Sequence, residues 1–189
     1  AKEQKLYLDG NGSKVKNTWM QDDTDWLYLG ADGFALTNQW MNDSAGWCYL
    51  GEDGYMVRNA WIPDSAGLCR VNADGYLVTS AWIDDGIGWR FVDANGYVLC
   101  NAWQLDSQGW CYVGEDGYML ADTWHYDSQG LCYIGEAGYC LTNTFKEHEN
   151  GWVYLDANGS QTKSAWVLIG SDWYYLNAEG FRLENGAYT

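Results

Sequence analysis

Apolar and polar residues alternate over short stretches of this chain, and the alternation restarts every 21 positions. In the segment 41–61, Trp47-Cys48-Tyr49-Leu50 reads as a short strand, because successive side chains of a strand point to opposite faces. Tyr55-Met56-Val57-Arg58 reads as a second. Between them Gly51-Glu52-Asp53-Gly54 predicts a turn, with Gly54 supplying a positive φ that other residues resist. Asn42–Gly46 predicts a further turn, connecting this hairpin to Trp40. Each unit is therefore expected to be one β-hairpin plus a connector, and it is too short for a four-stranded propeller blade.

The registers carry this reading along the whole chain. Glycine stands at 12, 33, 54, 75, 96, 117, 138, 159 and 180. All 13 tryptophans fall into two registers of the same period. The first holds Trp19, Trp40, Trp61, Trp82, Trp103, Trp124 and Trp166, with Phe145 as its one replacement. The second holds Trp26, Trp47, Trp89, Trp110, Trp152 and Trp173, with Leu68 and Leu131 as exceptions. The register of Leu50 is aliphatic throughout, and that of Val57 is broken only by Thr162. These rows predict a continuous core, since one hairpin cannot bury its apolar face alone. Cys48, Cys69, Cys111 and Cys132 share a third register on that face, which Leu27 and Val153 also fill. They are expected to be buried, reduced thiols, with Cys48–Cys69 and Cys111–Cys132 the only bridges considered. Tyr55, Tyr76, Tyr97, Tyr118 and Tyr139 share the core face and read as structural, whereas Trp47, Tyr49 and Met56 lie opposite. The expected fold is an all-β solenoid of stacked hairpins, a single repeat domain over 1–189.

Composition narrows the function classes. Aromatics at 17% with 23 Gly and one Pro exclude a coiled coil, a collagen and an ordinary helical bundle, and argue against disorder. Ten Lys and Arg against 26 Asp and Glu give a formal charge of −16, which argues against nucleic acid and anionic membranes and favours a cationic ligand. No apolar run approaches the ~18–20 residues of a membrane span, and Ala1–Asp9 does not read as a signal peptide. Six cysteines without a CxxC pair weaken zinc and thioredoxin readings.

The strings GWCYLGEDGYMVRNAW at 46–61 and GWCYVGEDGYMLADTW at 109–124 resemble the choline-binding, or cell-wall-binding, repeat of Gram-positive surface proteins. The resemblance covers a half repeat at 5–19, full repeats at 20–40, 41–61, 62–82, 83–103, 104–124, 125–145 and 146–166, and a closing repeat at 167–187. It implies a left-handed spiral of hairpins with choline held between consecutive hairpins by aromatic side chains. A trimethylammonium group has no hydrogen-bond donor, so aromatic faces suit it better than polar groups do. Carried over, the family's pattern of two aromatics from one repeat and one from the next gives four sets. They are Trp19, Trp26 and Tyr49; Trp82, Trp89 and Tyr112; Trp103, Trp110 and Tyr133; and Phe145, Trp152 and Tyr175. Met56 and Met119 are expected to line floors. Three sets depart from the pattern, two through Leu68 and Leu131, and one because Arg70 stands where a tyrosine is usual. Arg70 is expected to stack on Trp40 and Trp47 and fill that cage itself.

Other classes fare less well. His125 and His148 sit in connectors without repeated partners and read as solvated. No nucleophile elbow, HExxH or phosphate loop occurs, and a periodic sequence supplies no asymmetric catalytic constellation. Asp32, Asp53, Asp74 and Asp116 recur as solvated turn residues, and Asp93–Gly96 lacks the ligand density of a calcium loop. Carbohydrate binding, of a glucan or galactose type, is the rival: single aromatics would serve as platforms and Asn59, Asn101 and Asn143 would orient hydroxyls. The expectation is thus a non-catalytic module of a secreted bacterial protein. It would need no cofactor or metal and would attach at the cell surface to choline or phosphocholine on a wall polymer. Any catalytic domain would lie elsewhere in the parent protein. Several weak sites on a polymeric ligand can raise avidity by ~10²–10⁴.

Overall fold

A computed structural model of the protein describes residues 3–184, so 185–187 of the expected closing repeat lie outside the described residues. Sixteen strands pair two by two into antiparallel sheets, and no helix occurs among the described residues. The hairpins are β1 (Thr18–Asp22) with β2 (Asp25–Leu29), β3 (Gln39–Asp43) with β4 (Gly46–Leu50), and β5 (Ala60–Pro63) with β6 (Leu68–Val71). They continue with β7 (Ala81–Asp84) and β8 (Trp89–Val92), then β9 (Ala102–Leu105) and β10 (Trp110–Val113). The last three are β11 (Thr123–Asp127) with β12 (Gly130–Ile134), β13 (Thr144–His148) with β14 (Gly151–Leu155), and β15 (Ala165–Ile169) with β16 (Asp172–Leu176). They fall into two compact units built alike, one reaching Ile83 and including Phe91–Leu99, the other made of Asp84–Arg90 and the chain from Cys100 onward. The sheets are open, and the architecture is the expected all-β stack of hairpins.

The phase of the hairpin differs from the sequence expectation. The segment expected to be a connector is the hairpin turn itself: β3 pairs with β4 from Gln39↔Leu50 to Asp43↔Gly46. Asp43 Oδ1 accepts the N–H groups of Ala45 (2.8 Å) and Gly46 (3.1 Å), and Gly46 adopts φ 139°, so the reversal closes tightly. Tyr55–Val57 forms no full strand because it divides its hydrogen bonds between two hairpins. Val57 N–H donates to Tyr49 in its own repeat (2.9 Å), and Met56 N–H donates to Trp26 in the repeat before (2.7 Å). The second bond recurs with a 30-residue offset at Leu77–Trp47, Val98–Leu68, Met119–Trp89, Cys140–Trp110, Gln161–Leu131 and Arg182–Trp152. These bonds clasp successive hairpins together within each unit.

The core is the Leu50 row. Leu29, Leu50, Val71, Val92, Val113, Ile134, Leu155 and Leu176 are all 0% exposed. Only Leu8, in the half repeat, is exposed. In a second row Leu27, Cys48, Cys111 and Val153 are fully buried, while the Val57 row is half-buried up to Thr162 and exposed at Leu183. All six cysteines are free thiols, and burial pushes those of Cys48, Cys69 and Cys111 up to about 11. Gly75 meets two demands at once: its φ is 90°, and a Cβ there would lie 2.3 Å from Met56 Sδ. Asn59, Asn101 and Asn143 have φ of 50°, 48° and 52°, the left-handed conformation that Asn tolerates better than most residues. Their recurrence is thus a backbone requirement.

Candidate aromatic cation sites

The core-face tyrosines are the starting point, because each reaches across to the turn of an earlier hairpin. Tyr55, Tyr76, Tyr97, Tyr118 and Tyr139 donate their hydroxyls to Asp22, Asp43, Asp64, Asp85 and Asp106, always 33 residues back, at 2.6 to 3.0 Å. Asp43, Asp64, Asp85 and Asp106 also cap their own turns. Asp64 is held below the usual carboxylate range, foremost by the Ala66 N–H and also by the Tyr97 hydroxyl and the Trp40 indole N–H. The hydrogen bond to Asp106 pushes Tyr139 up to about 12. This aspartate row runs through Asp22, Asp43, Asp64, Asp85, Asp106 and Asp127 before giving way to His148 and Ile169, and was the signal that could have revealed the latch.

Above the latches, paired indoles stand at right angles. Trp19 and Trp26 lie 6.5 Å apart at 85°, and Trp103 and Trp110 lie 6.4 Å apart at 89°. Beside Trp19 and Trp26 is a cavity of about 550 Å³ lined by Asp43, Met56, Arg58, Asp74 and Tyr76. Trp40 and Trp47 border one of about 450 Å³, whose lining includes Asp64, Cys69, Leu77 and Tyr97. Trp103 and Trp110 border one of about 440 Å³, whose lining includes Asp127, Leu131, Cys132, Cys140 and Ser160. The constellation is the same each time: two indoles, an aspartate, a floor residue and a latch position. Met56, Leu77 and Cys140 are equivalent floor residues, and Ser160 stands where Tyr76 and Tyr97 stand. In the third cavity Asp127 has no latch tyrosine and accepts the Trp103 Nε1–H at 2.7 Å. Burial would raise Asp127, but the hydrogen bonds from Trp103 and from the Gln129 N–H keep it below its ordinary value.

The expected third walls lie elsewhere. Tyr49 packs edge-on against Trp40 (5.3 Å), Tyr112 against Trp103 (5.1 Å) and Tyr133 against Trp124 (5.0 Å), while Tyr175 meets Trp166 at a tilt (5.1 Å). Each tyrosine is the direct cross-strand partner of that tryptophan, so both side chains share one face of one hairpin. The walls that do border the cavities come from latch positions, which the family pattern did not supply, and from floor positions of the Met56 type. Met56 is a floor, as expected. Trp82, which packs on Phe91 at 5.2 Å, belongs to the first unit, and Trp89 and Tyr112 to the second.

Arg70 does not fill the Trp40–Trp47 cavity. It pairs across the strand with Trp61, lies 5.3 Å over that ring, and donates to Asn59 Oδ1 at 2.9 Å. The histidines are not solvated connectors either. His125 stacks on Tyr112 (3.9 Å) and His148 meets Trp124 edge-on (5.0 Å), both from strands. In the fourth set, Phe145 and Trp152 are joined by Tyr174 rather than Tyr175, and Phe145 and Tyr174 lie 5.2 Å apart. No group of three or more His, Cys, Asp or Glu side chains suited to a metal ion occurs among the described residues.

Stacked hairpins carrying perpendicular indole pairs beside carboxylates define a repeat module with aromatic-walled cavities. Among solved structures, the choline-binding domain of CbpL from Streptococcus pneumoniae is 31% identical, with a TM-score of 0.72 over 96% of this chain and 93% of that one. This chain belongs to the family of choline-binding repeat domains. The modular autolysin LytC and the choline-binding protein F of the same organism share the fold at 23% and 21% identity, with TM-scores of 0.72 and 0.60. The chain covers 46% and 60% of their lengths, and these matches span 95% and 92% of this chain. No protein-family profile matches the sequence, and no curated protein matches it.

Proposed function

We propose that this chain is a non-catalytic module that attaches its parent protein to choline or phosphocholine on a polymer of the bacterial surface. The observation that carries the reading is the perpendicular indole pair with a carboxylate beside it, at Trp19–Trp26 with Asp43 and at Trp103–Trp110 with Asp127. Two ring faces meeting at a right angle offer a methylated ammonium apolar contact and quadrupole attraction from two sides, worth ~2 kcal/mol or more when desolvated. The aspartate adds the charge that a sugar would not need. In this reading Met56 and Tyr76 complete the first site, Leu77 and Tyr97 the second, and Cys140 and Ser160 the third. A structure of choline-binding protein F was solved in the presence of a peptidoglycan analogue, and a fold shared with a modular autolysin accords with a wall-attached parent protein that carries further domains. The test is titration with choline, and separately with glucan and galactose oligomers, followed by tryptophan fluorescence. Choline is expected to change the signal at roughly millimolar concentration. A response to the sugars alone would replace this reading with the carbohydrate one.

A further inference from the structure

The fourth cage already contains a cation. The Arg182 guanidinium carbon lies 5.5 Å from the centroid of Phe145, 5.4 Å from that of Trp152 and 5.4 Å from that of Tyr174. Arg182 comes from the floor position, the equivalent of Met56, Leu77 and Cys140, counted 37 residues from the first-register aromatic. Its backbone is clasped like theirs, with its N–H donating to the Trp152 carbonyl at 2.8 Å. The side chain therefore starts where a floor residue starts and runs into the space that the other repeats leave open.

We propose that Arg182 is the resident cation of the Phe145–Trp152–Tyr174 cage and closes it to soluble quaternary ammonium ligands. The inference rests on the cage reading above and names the residue that decides which cages are open. A guanidinium is flat, delocalised and weakly hydrated, so it stacks on aromatic faces with the same quadrupole attraction that a trimethylammonium uses. Its N–H donors, which rings satisfy poorly, have an outlet: Nη2 lies 2.6 Å from Glu184 Oε1. Being tethered, it is present at a high effective concentration that a free ligand must overcome. Exposure follows the same division. Trp47 and Trp110, over Leu77 and Cys140, are 49% and 48% exposed, whereas Trp152 is covered to the half-buried class. A neutral floor leaves the indole open, and a cationic floor occupies it.

The experiment compares the full chain with Arg182→Met, the residue that repeats use at positions 56 and 119, by calorimetric titration with choline. Arg182→Leu, matching position 77, serves if the first variant fails to fold. The variant is expected to take up one more choline per chain than the parent. Equal stoichiometry in a folded variant overturns the closure. Separately, the Arg182 Nε–H resonance, assigned by its loss in the variant, is expected to be shifted upfield by the three rings without any ligand. A resonance at the position of an exposed arginine overturns the occupancy. If the parent takes up no choline at all, the cage reading fails, and the resonance alone still decides whether Arg182 sits among the rings.

Discussion

Tyr76 donates its hydroxyl to Asp43, 33 residues earlier, at 3.0 Å, and both residues line the cavity beside Trp19 and Trp26. One hydrogen bond thus joins two hairpins and sets two walls of a candidate site. The aspartate has a further duty in closing its own turn, where it accepts the Ala45 and Gly46 N–H groups. Local turn, repeat stacking and site geometry therefore hang here on the single carboxylate of Asp43.

Removing the donor tests this link. Tyr139→Phe keeps the ring and deletes the hydroxyl that reaches Asp106 at 2.7 Å. The loss expected is about 1 kcal/mol, typical of one partly exposed hydrogen bond. Chemical denaturation should show a lower midpoint with an unchanged slope, and an unchanged midpoint would mean that the latch carries no net stability.

Adding a donor should do the reverse. Ser160 stands 33 residues after Asp127, where a latch tyrosine is absent, and lines the Trp103–Trp110 cavity. Ser160→Tyr is expected to raise the melting temperature by a few degrees, corresponding to ~1 kcal/mol. A fall in melting temperature would show that the ring does not fit between Cys140 and Asp127.

The latches also predict how stability follows pH. Hydrogen bonds from Tyr55 lower Asp22, the Ala66 N–H and then Tyr97 lower Asp64, and Tyr139 lowers Asp106. A carboxyl depressed by folding contributes fully above its unfolded value of 3.8 and loses that contribution as pH falls through the folded values. Tyr139 behaves oppositely: raised from 10.0 to about 12, it contributes fully below pH 10 and fades as pH rises towards 12. Thermal melts should therefore be flat through neutrality, drop below about pH 4, and drop again above pH 9.0 as the buried thiols of Cys48, Cys69 and Cys111 and then Tyr139 ionise, the alkaline drop being smaller in Tyr139→Phe.

Indole and core substitutions should separate binding from folding. Trp110 is half exposed, while Leu155 is fully buried. Trp110→Ala is expected to remove one choline equivalent with little change in melting temperature. Leu155→Ala is expected to cost about 2–5 kcal/mol. If Trp110→Ala unfolds the chain, the indole is structural and the third cavity loses its functional reading.

Much of this was legible in the sequence, and the part that was not has one physical cause. A repeat shows which residues are equivalent, so the Leu50 row, the indole registers and the buried cysteines could be read directly. It does not show at what offset non-identical registers meet. Hence Tyr49 was set against Trp19 and Trp26, when strand pairing holds it on Trp40. The hairpin was read half a repeat out of phase because the glycine turn at 51–54 is the more conspicuous one, yet the Asp43 turn closes the longer ladder. The same gap misplaced the internal cation. Arg70 lies on a strand beside Trp61, and Arg182, at a floor position, is the arginine that enters a cage.

The offsets of 30 for the backbone clasp and 33 for the tyrosine latch both exceed the 21-residue period. Every such bond therefore crosses a repeat boundary, and no repeat owns both halves of any of them. Excising or duplicating one whole period in the interior of a unit returns a donor of the same kind to each acceptor. Excising 20 residues turns every later side chain towards the wrong face, since strand facing alternates residue by residue. Length in this protein is thus free to vary only in whole repeats, and each repeat gained within a unit adds a clasp and, where tyrosine and aspartate are kept, a latch.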